Sequence, residues 1–357
     1  MNVAIVTQPI KANYGGVLQN FALQCVLRKL GHHPVTIDYR DSSPLWFYLF
    51  QTIKTILLYP FSSKRRALTP YRNVFPRDKR IMKFVHKYIK LTDNQYLSYN
   101  RDIIQKYKIG AVIVGSDQVW RPRYSPNCLY DTYLSFLKNE KLVKISYAAS
   151  FGVDSWEYTD KQTKVCKVLM KQFNAVSVRE HSGVYLCQKY LDVKACEVLD
   201  PTLLLSSDDY CSVCSDIPVN RKRYVCCYML DTSSEKMIII EEFSRKNNCE
   251  IIIFSAHNSI MYSVEEWLAL FRDASFVITD SFHGTVFSII FHREFYSLIN
   301  ADRGATRFVS LLSKFGLESR IVVNKKLENV PIDWTVVDSK KNEMINKSIN
   351  YLRNGLS

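Results

Sequence analysis

Glycine and proline are scarce, with 11 of each in 357 residues, which excludes a collagen-like or linker-like chain. No run of apolar residues is long enough to cross a membrane without a charge in it. The chain has no Walker A sequence, no HExxH and no GxSxG, so P-loop, zincin and serine-hydrolase chemistry have no foothold. No short-period repeat is visible. Acidic residues are outnumbered, 34 Asp+Glu against 48 Lys+Arg, giving a formal charge of +14. The pI near 9.2 points to an anionic partner. The basic residues are not interleaved with aromatics in the manner of a nucleic-acid surface, so no nucleic acid is expected. What is present is ordinary globular composition, 47% hydrophobic and 23% charged. The length suits two domains.

The ten cysteines lie mostly in or beside apolar runs, as Cys25 does in FALQCVLRKL. That pattern fits buried free thiols in a reducing compartment better than a secreted disulfide scaffold. Cys211 and Cys214 have metal-ligand spacing, but no second CxxC follows, and a structural zinc site wants four ligands. The amino terminus opens directly into a strand, with no basic and then apolar leader, so no signal peptide is expected.

Strands and helices alternate along the chain. Val3–Thr7, a loop ending in Asn13-Tyr14-Gly15-Gly16, and an apolar-periodic helix that stops at Gly31 form a βαβ unit with Pro34–Tyr39. Further strands are expected at Ile109–Val114, Val143–Ala149, Ala175–Val178, Ala195–Leu199, Arg223–Leu230, Glu250–Ser255, Phe276–Thr279, Phe295–Ile299 and Arg320–Val323. Helices lie between them and a closing helix covers Lys340–Leu352. This order gives an α/β fold of two Rossmann-like domains with parallel sheets covered on both faces. The expected division is 1–168, 169–330 and a helical tail, 331–357, packing back on the first domain.

One segment breaks the pattern. Pro44–Phe61, PLWFYLFQTIKTILLYPF, precedes the basic cluster Lys64-Arg65-Arg66. Lys54 near its middle costs about 2.5–3.5 kcal/mol in a bilayer, so a spanning helix is rejected. Two fates remain open for residues 44–66: an interfacial helix on an anionic membrane, or a helix buried against the first domain.

Candidate site residues sit where strands end, the edge at which open α/β sheets bind ligands. Thr279-Asp280-Ser281-Phe282-His283-Gly284 joins a strand to a helix whose N-terminus attracts anions. His283 can transfer a proton or bind a phosphate oxygen, or simply cap a turn; Ser281 and Gly284 flank it. Arg179 ends another apolar strand, where it grips either an anionic ligand or an acid such as Glu180. Arg303 and Arg307 supply two more cations, unless they are solvated surface charges. In the first half, Asn13, Gly15 and Gly16 can cradle a phosphate or sugar, although the sequence is not GxGxxG. Asp117 can accept a proton from a sugar hydroxyl and Gln118 can hydrogen-bond one, or both can serve as helix caps. Trp120 reads as a core tryptophan or a sugar platform. Asp200-Pro201 reads as a structural turn.

The ordered segments NYGGVLQNFALQ, VGSDQVWRP, ISYAASFG, SVRE, VLDPTLLL and TDSFHGTVFS together resemble the polysaccharide pyruvyl transferase family, over about residues 3–312. The resemblance implies a GT-B-like pair of Rossmann domains, the first on the acceptor side and the second on the donor side. It implies transfer of pyruvate from phosphoenolpyruvate to two hydroxyls of a sugar, or of a lipid-linked saccharide, forming a ketal in a surface polysaccharide precursor. The family's basic site residues map onto Arg179 and His283. His283 would act as acid or phosphate ligand, Arg179 as donor clamp, and Asp117 as base or acceptor ligand. Some relatives carry Arg-Leu-His-Gly where this chain has Ser281-Phe282-His283-Gly284, so a donor-gripping cation is absent at Ser281; either Arg303 or Arg307 replaces it, or the donor differs. No organic cofactor is implied, and the need for a divalent metal stays open. The expected location is the cytoplasm, at the inner face of the membrane if residues 44–66 bind it. A nucleotide-sugar glycosyltransferase and a non-catalytic glycan-binding protein are the competing readings.

Overall fold

A computed structural model describes residues 1–10, 13–39, 79–255, 262–299, 305–322, 327 and 330–357. Residues 44–66, and with them the membrane-surface helix, lie outside the described residues. Among those described, no helix is long and apolar enough to cross a membrane.

The chain runs β1 (Asn2–Val6), α1 (Tyr14–Lys29), β2 (His33–Thr36), α2 (Lys79–Tyr88), α3 (Asp102–Lys106), β3 (Ala111–Val114), β4 (Val143–Ser146), α4 (Asp160–Met170), β5 (Ser177–Val178), α5 (His181–Leu186) and β6 (Cys196–Glu197). It continues α6 (Ser207–Val213), β7 (Tyr224–Tyr228), α7 (Ser234–Asn247), β8 (Glu250–Phe254), α8 (Val264–Arg272), β9 (Phe276–Thr279), α9 (Phe282–Ile290), β10 (Glu294–Ser297), α10 (Ala305–Phe315) and α11 (Trp334–Leu356). Two four-stranded parallel sheets result, ordered β2-β1-β3-β4 and β10-β9-β7-β8, with β5 and β6 as a further parallel pair.

The strands are uninterrupted apolar runs because both faces of each sheet are covered. In β1, Val3 and Ile5 join one core while Ala4 and Val6 join another, the two-residue period of a pleated strand. The Val3–Ile5 face meets α1, and α1 is buried nearly all round. Its far side reaches the second sheet. Tyr14 stacks on Trp267 of α8 at 5.5 Å, and Phe21 leans on Tyr210 of α6. One continuous core therefore links the two sheets through α1. The outer face of the second sheet closes separately, with Val225, Cys227 and Ile278 against Ile239, Ile240 and Phe243 of α7. The ten cysteines are free thiols.

Two expectations change. Residues 175–197 belong with the first sheet: Ala175 bridges Ile145, Val178 bridges Ala149, and β5 pairs with β6. A boundary at 168/169 would sever these bridges, so we place it after β6. Arg320–Val323 is not a strand. A 3₁₀ turn, Glu318–Arg320, leaves a single bridge from Ile321 to Ser297, because Arg320 turns inward to pair with Glu294 at 2.9 Å. Residue 323 lies outside the described residues. The closing helix is longer than its expected core and returns to the first sheet. The Tyr351 hydroxyl donates to the Ser146 carbonyl at 2.7 Å, and the Leu199 amide donates to Ser348.

Trp267→Ala removes a fully buried indole at the junction of the two sheets. It is expected to cost about 3–5 kcal/mol of stability, measured by denaturant unfolding.

Candidate active site

The carboxyl ends of β3, β4, β5 and β6 in the first sheet face the strand-to-helix loop after β9 in the second. At their centre is Asp200, 2% exposed, in the turn that leaves β6. Its Oδ1 accepts from the Thr202 amide at 3.1 Å and the Thr202 hydroxyl at 2.6 Å. Its Oδ2 accepts from Arg179 Nη1 at 2.9 Å and from the Gln19 amide of α1, which also donates to the Ser116 carbonyl at 3.0 Å. His283 Nε2 lies 3.7 Å from the same oxygen, an ion-pair contact too long for a hydrogen bond. Burial opposes the charge on Asp200. His283, Arg179 and Thr202 nevertheless hold its carboxyl well below the usual carboxylate range. One ionised side chain thus connects α1, β3, β5, β6 and α9.

Arg179 ends β5 and is 3% exposed. Besides Asp200, its Nε stands 3.9 Å from Glu180 Oε2. Glu180 is fixed in turn, its Oε1 accepting from the Ser150 hydroxyl and the Phe151 and Gly152 amides. Desolvation disfavours the Arg179 charge, but Asp200, Glu180 and Asp117 outweigh it and raise its pKa. Its Nε and Nη2 make no hydrogen bond among the described residues. Arg307, half-buried on α10, reaches the same place. Burial and the Arg179 charge lower its pKa to about 10, while Glu180 and Asp117 oppose that shift.

His283 stands on the first turn of α9, and two glycines make room for it. A Cβ on Gly15 would come within 2.0 Å of His283 Nδ1, so only a residue without a side chain lets α1 approach the ring. A Cβ on Gly284 would meet Thr279 Oγ1 at 2.3 Å, so Gly284 closes the strand-to-helix packing. Ser281, also expected among the substrate contacts, is the N-cap of α9: its hydroxyl accepts from the Gly284 amide at 3.4 Å. Asp280 braces the loop, accepting from the Leu230 and Asp231 amides and pairing with Lys236 at 2.6 Å. His283 Nε2 has no hydrogen-bond partner among the described residues.

Across the cleft, Asp117 and Gln118 follow β3. Asp117 Oδ1 accepts from the Gln118 amide at 2.7 Å, and Gln118 Oε1 receives Arg121 Nη1 at 3.4 Å. Arg121 is locked by two bonds to Glu157. Asn13 is exposed before α1, and its amide and the Asp117 carboxylate flank Gly16. Trp120 is a core residue, buried completely and stacked on Tyr133, with its indole N–H donating to the Thr132 carbonyl. It is no sugar platform. Arg303 lies outside the described residues. The structure therefore brings together Arg179, Arg307, His283, Gly15 and Asp117. It adds Asp200, Gln19 and Phe282, which the sequence reading did not select, and Glu180, which that reading named only as an acid Arg179 could pair with; for Asp200 the available signal was its place just after a strand on this same edge. Among the described residues, no group of three or more His, Cys, Asp or Glu is placed to hold a metal ion. Two cations and an imidazole backed by a carboxylate suit an anionic ligand and proton transfer to or from it.

The fold is that of an α/β protein with two Rossmann-like halves, and the candidate site lies where they meet. The uridine diphosphate-N-acetylglucosamine 2-epimerase of Neisseria meningitidis, solved with UDP-GlcNAc bound, is similar over 100% of this chain and 99% of its own, at TM-score 0.54 and 10% identity. Spinosyn rhamnosyltransferase SpnG is similar over 100% and 92%, at TM-score 0.44 and 10% identity. No curated protein sequence matches the chain. The profile of the polysaccharide pyruvyl transferase family matches residues 13–302, and the chain belongs to that family.

Asp200→Asn leaves Arg179 buried without its closest countercharge and is expected to cost about 3–5 kcal/mol at neutral pH. Because the folded carboxyl titrates below its unfolded value of about 3.9, this contribution is complete above that pH and fades as pH falls below it. Urea unfolding of both proteins from pH 7 to pH 3 is expected to show the gap between them narrowing at the acid end.

Proposed function

We infer that the protein, as a member of its family, is an enzyme that transfers pyruvate to a polysaccharide. We propose that the donor is phosphoenolpyruvate and that the product is a cyclic ketal on two hydroxyls of one sugar in a polysaccharide precursor. The observation that carries this reading is Arg179: a buried guanidinium with two nitrogens that make no hydrogen bond among the described residues, beside a second arginine and a histidine. Phosphoenolpyruvate presents a carboxylate and a phosphate, and such a cluster answers both charges.

The chemistry is written on these groups. A proton is added to the methylene carbon of the donor, making a methyl group, and a sugar hydroxyl oxygen bonds to the adjacent carbon. The bond from that carbon to the phosphate oxygen then breaks and phosphate leaves with its electron pair. A second hydroxyl of the same sugar bonds to the carbon and closes the ring. Of the two hydroxyl protons, one is balanced by the new methyl hydrogen and the other leaves with phosphate or solvent. His283 is the proton donor, or holds the departing phosphate. Asp200 keeps a negative charge behind it. Arg179 and Arg307 stabilise the charge that develops as phosphate departs. Asp117 on the facing rim accepts the hydroxyl proton or orients the sugar, with Asn13, Gly16 and Gln118 beside it. A lipid-linked acceptor would put the enzyme at the cytoplasmic membrane face, with residues 44–66 as the contact.

The test mixes purified protein with phosphoenolpyruvate and a panel of glycosides, and follows phosphate release together with product mass. Acceptor-dependent release and a pyruvyl mass gain are expected, along with thermal protection by phosphoenolpyruvate. Protection by a nucleotide-sugar alone would transfer the site to glycosyl transfer, and binding of a glycan without phosphate release would make it a lectin. His283→Ala is expected to lower turnover about 10²–10⁴-fold, and Gly15→Ala to do the same by displacing the ring. Full turnover in His283→Ala would remove the acid role.

A further inference from the structure

We propose that Phe282 is a positioning residue for the donor anion: its ring seats the guanidinium groups of Arg179 and Arg307 together, so that one dianionic ligand meets both. The inference rests on the reading of this site as a phosphoenolpyruvate site, and deepens it.

The two arginines come from different parts of the fold. Arg179 leaves β5. Arg307 is on α10, and on that helix Arg307, Ser310 and Lys314 share one face by their spacing of three and seven. The two lower members of that face are fastened to the first sheet. Ser310 donates to Glu197 Oε1 at 2.9 Å, and Lys314 reaches Glu197 at 2.6 Å and the Arg179 carbonyl at 3.1 Å. Arg307, one turn earlier, is thereby delivered beside Arg179. Like charges repel one another, and the Arg179 charge adds to desolvation in lowering the pKa of Arg307. Asp200, Glu180 and Asp117 provide part of the compensation.

The remaining neighbour is aromatic. The Arg179 guanidinium lies 4.6 Å from the centroid of the Phe282 ring and the Arg307 guanidinium 5.6 Å from the same centroid. Both distances are within the range of a cation–π interaction, in which the negative ring face attracts the charge without consuming a hydrogen-bond donor. The ring is 5% exposed and held edge-on by Phe308 at 6.1 Å and by the His283 ring at 5.3 Å. A carboxylate in that position would also neutralise the arginines, but it would occupy their N–H groups. Phe282 contacts the cations without taking any N–H group, and Arg179 Nε and Nη2 keep no hydrogen-bond partner among the described residues.

The test replaces the ring in two ways: Phe282→Leu, which keeps an apolar side chain, and 3,4,5-trifluorophenylalanine at position 282, which keeps the shape and weakens the charge on the face. Calorimetry on the full-length protein reads the Kd of phosphoenolpyruvate and of inorganic phosphate. Both anions are expected to bind about 5–30-fold more weakly to Phe282→Leu, with the fluorinated protein in between at an unchanged melting temperature. Affinities within twofold of the wild type in the fluorinated protein would overturn the proposal and leave the ring as apolar filling. Binding of inorganic phosphate but not phosphoenolpyruvate by the wild type would remove the donor assignment, while the effect of the ring would still be read on phosphate. Binding of neither anion would overturn the clamp itself.

Discussion

A buried carboxylate cannot stand alone, and the architecture around the cleft follows from the way Asp200 is satisfied. Its two oxygens take up Thr202 from its own turn, Arg179 from the end of β5, Gln19 from α1 and, at longer range, His283 from the second sheet. Every one of these groups is held in its place by a charge that the interior tolerates only because they surround it. The arginine and the histidine are therefore preorganised before any ligand arrives. A ligand that meets them does not bear the cost of assembling them.

The halves of the protein are coupled by the same region. The core that runs from β1 through α1 to Trp267 joins the sheets on one side of the cleft. The ties from α10 to Glu197 and to the Arg179 carbonyl join them on the other. Gly15 allows the contact at the middle, where His283 approaches α1. Motion between the halves would have to break these contacts, so the site is built at a packed junction.

Much of this was legible in the sequence because parallel strands buried on both faces read as plain apolar runs, and because ligand-binding side chains sit where such runs stop. Arg179 and His283 were found on that argument. Asp200 was not, since Asp-Pro after a strand is also what a simple turn looks like, and only the tertiary fold shows five elements meeting there. Ser281 and Gly284 have local roles that spacing does not separate from anion binding: Ser281 caps α9, and Gly284 lets the helix pack against Thr279. The tie of residues 175–197 to the first sheet could not be read from spacing because β5 and β6 are two residues long, too short to declare their sheet. Arg320 was placed in a strand by its apolar neighbours, and its buried pairing with Glu294 cannot be seen from spacing.

The central claim is that Arg179 and Arg307, organised by Asp200, receive a donor with two anionic groups. The most direct measurement is a crystal structure of the protein soaked with phosphoenolpyruvate. The account predicts the ligand in the cleft with its carboxylate and phosphate within about 3 Å of the nitrogens of Arg179 and Arg307. It also predicts the methylene carbon facing His283. Phosphoenolpyruvate bound elsewhere, or a cleft that stays empty with it and fills with a nucleotide-sugar, would contradict the account.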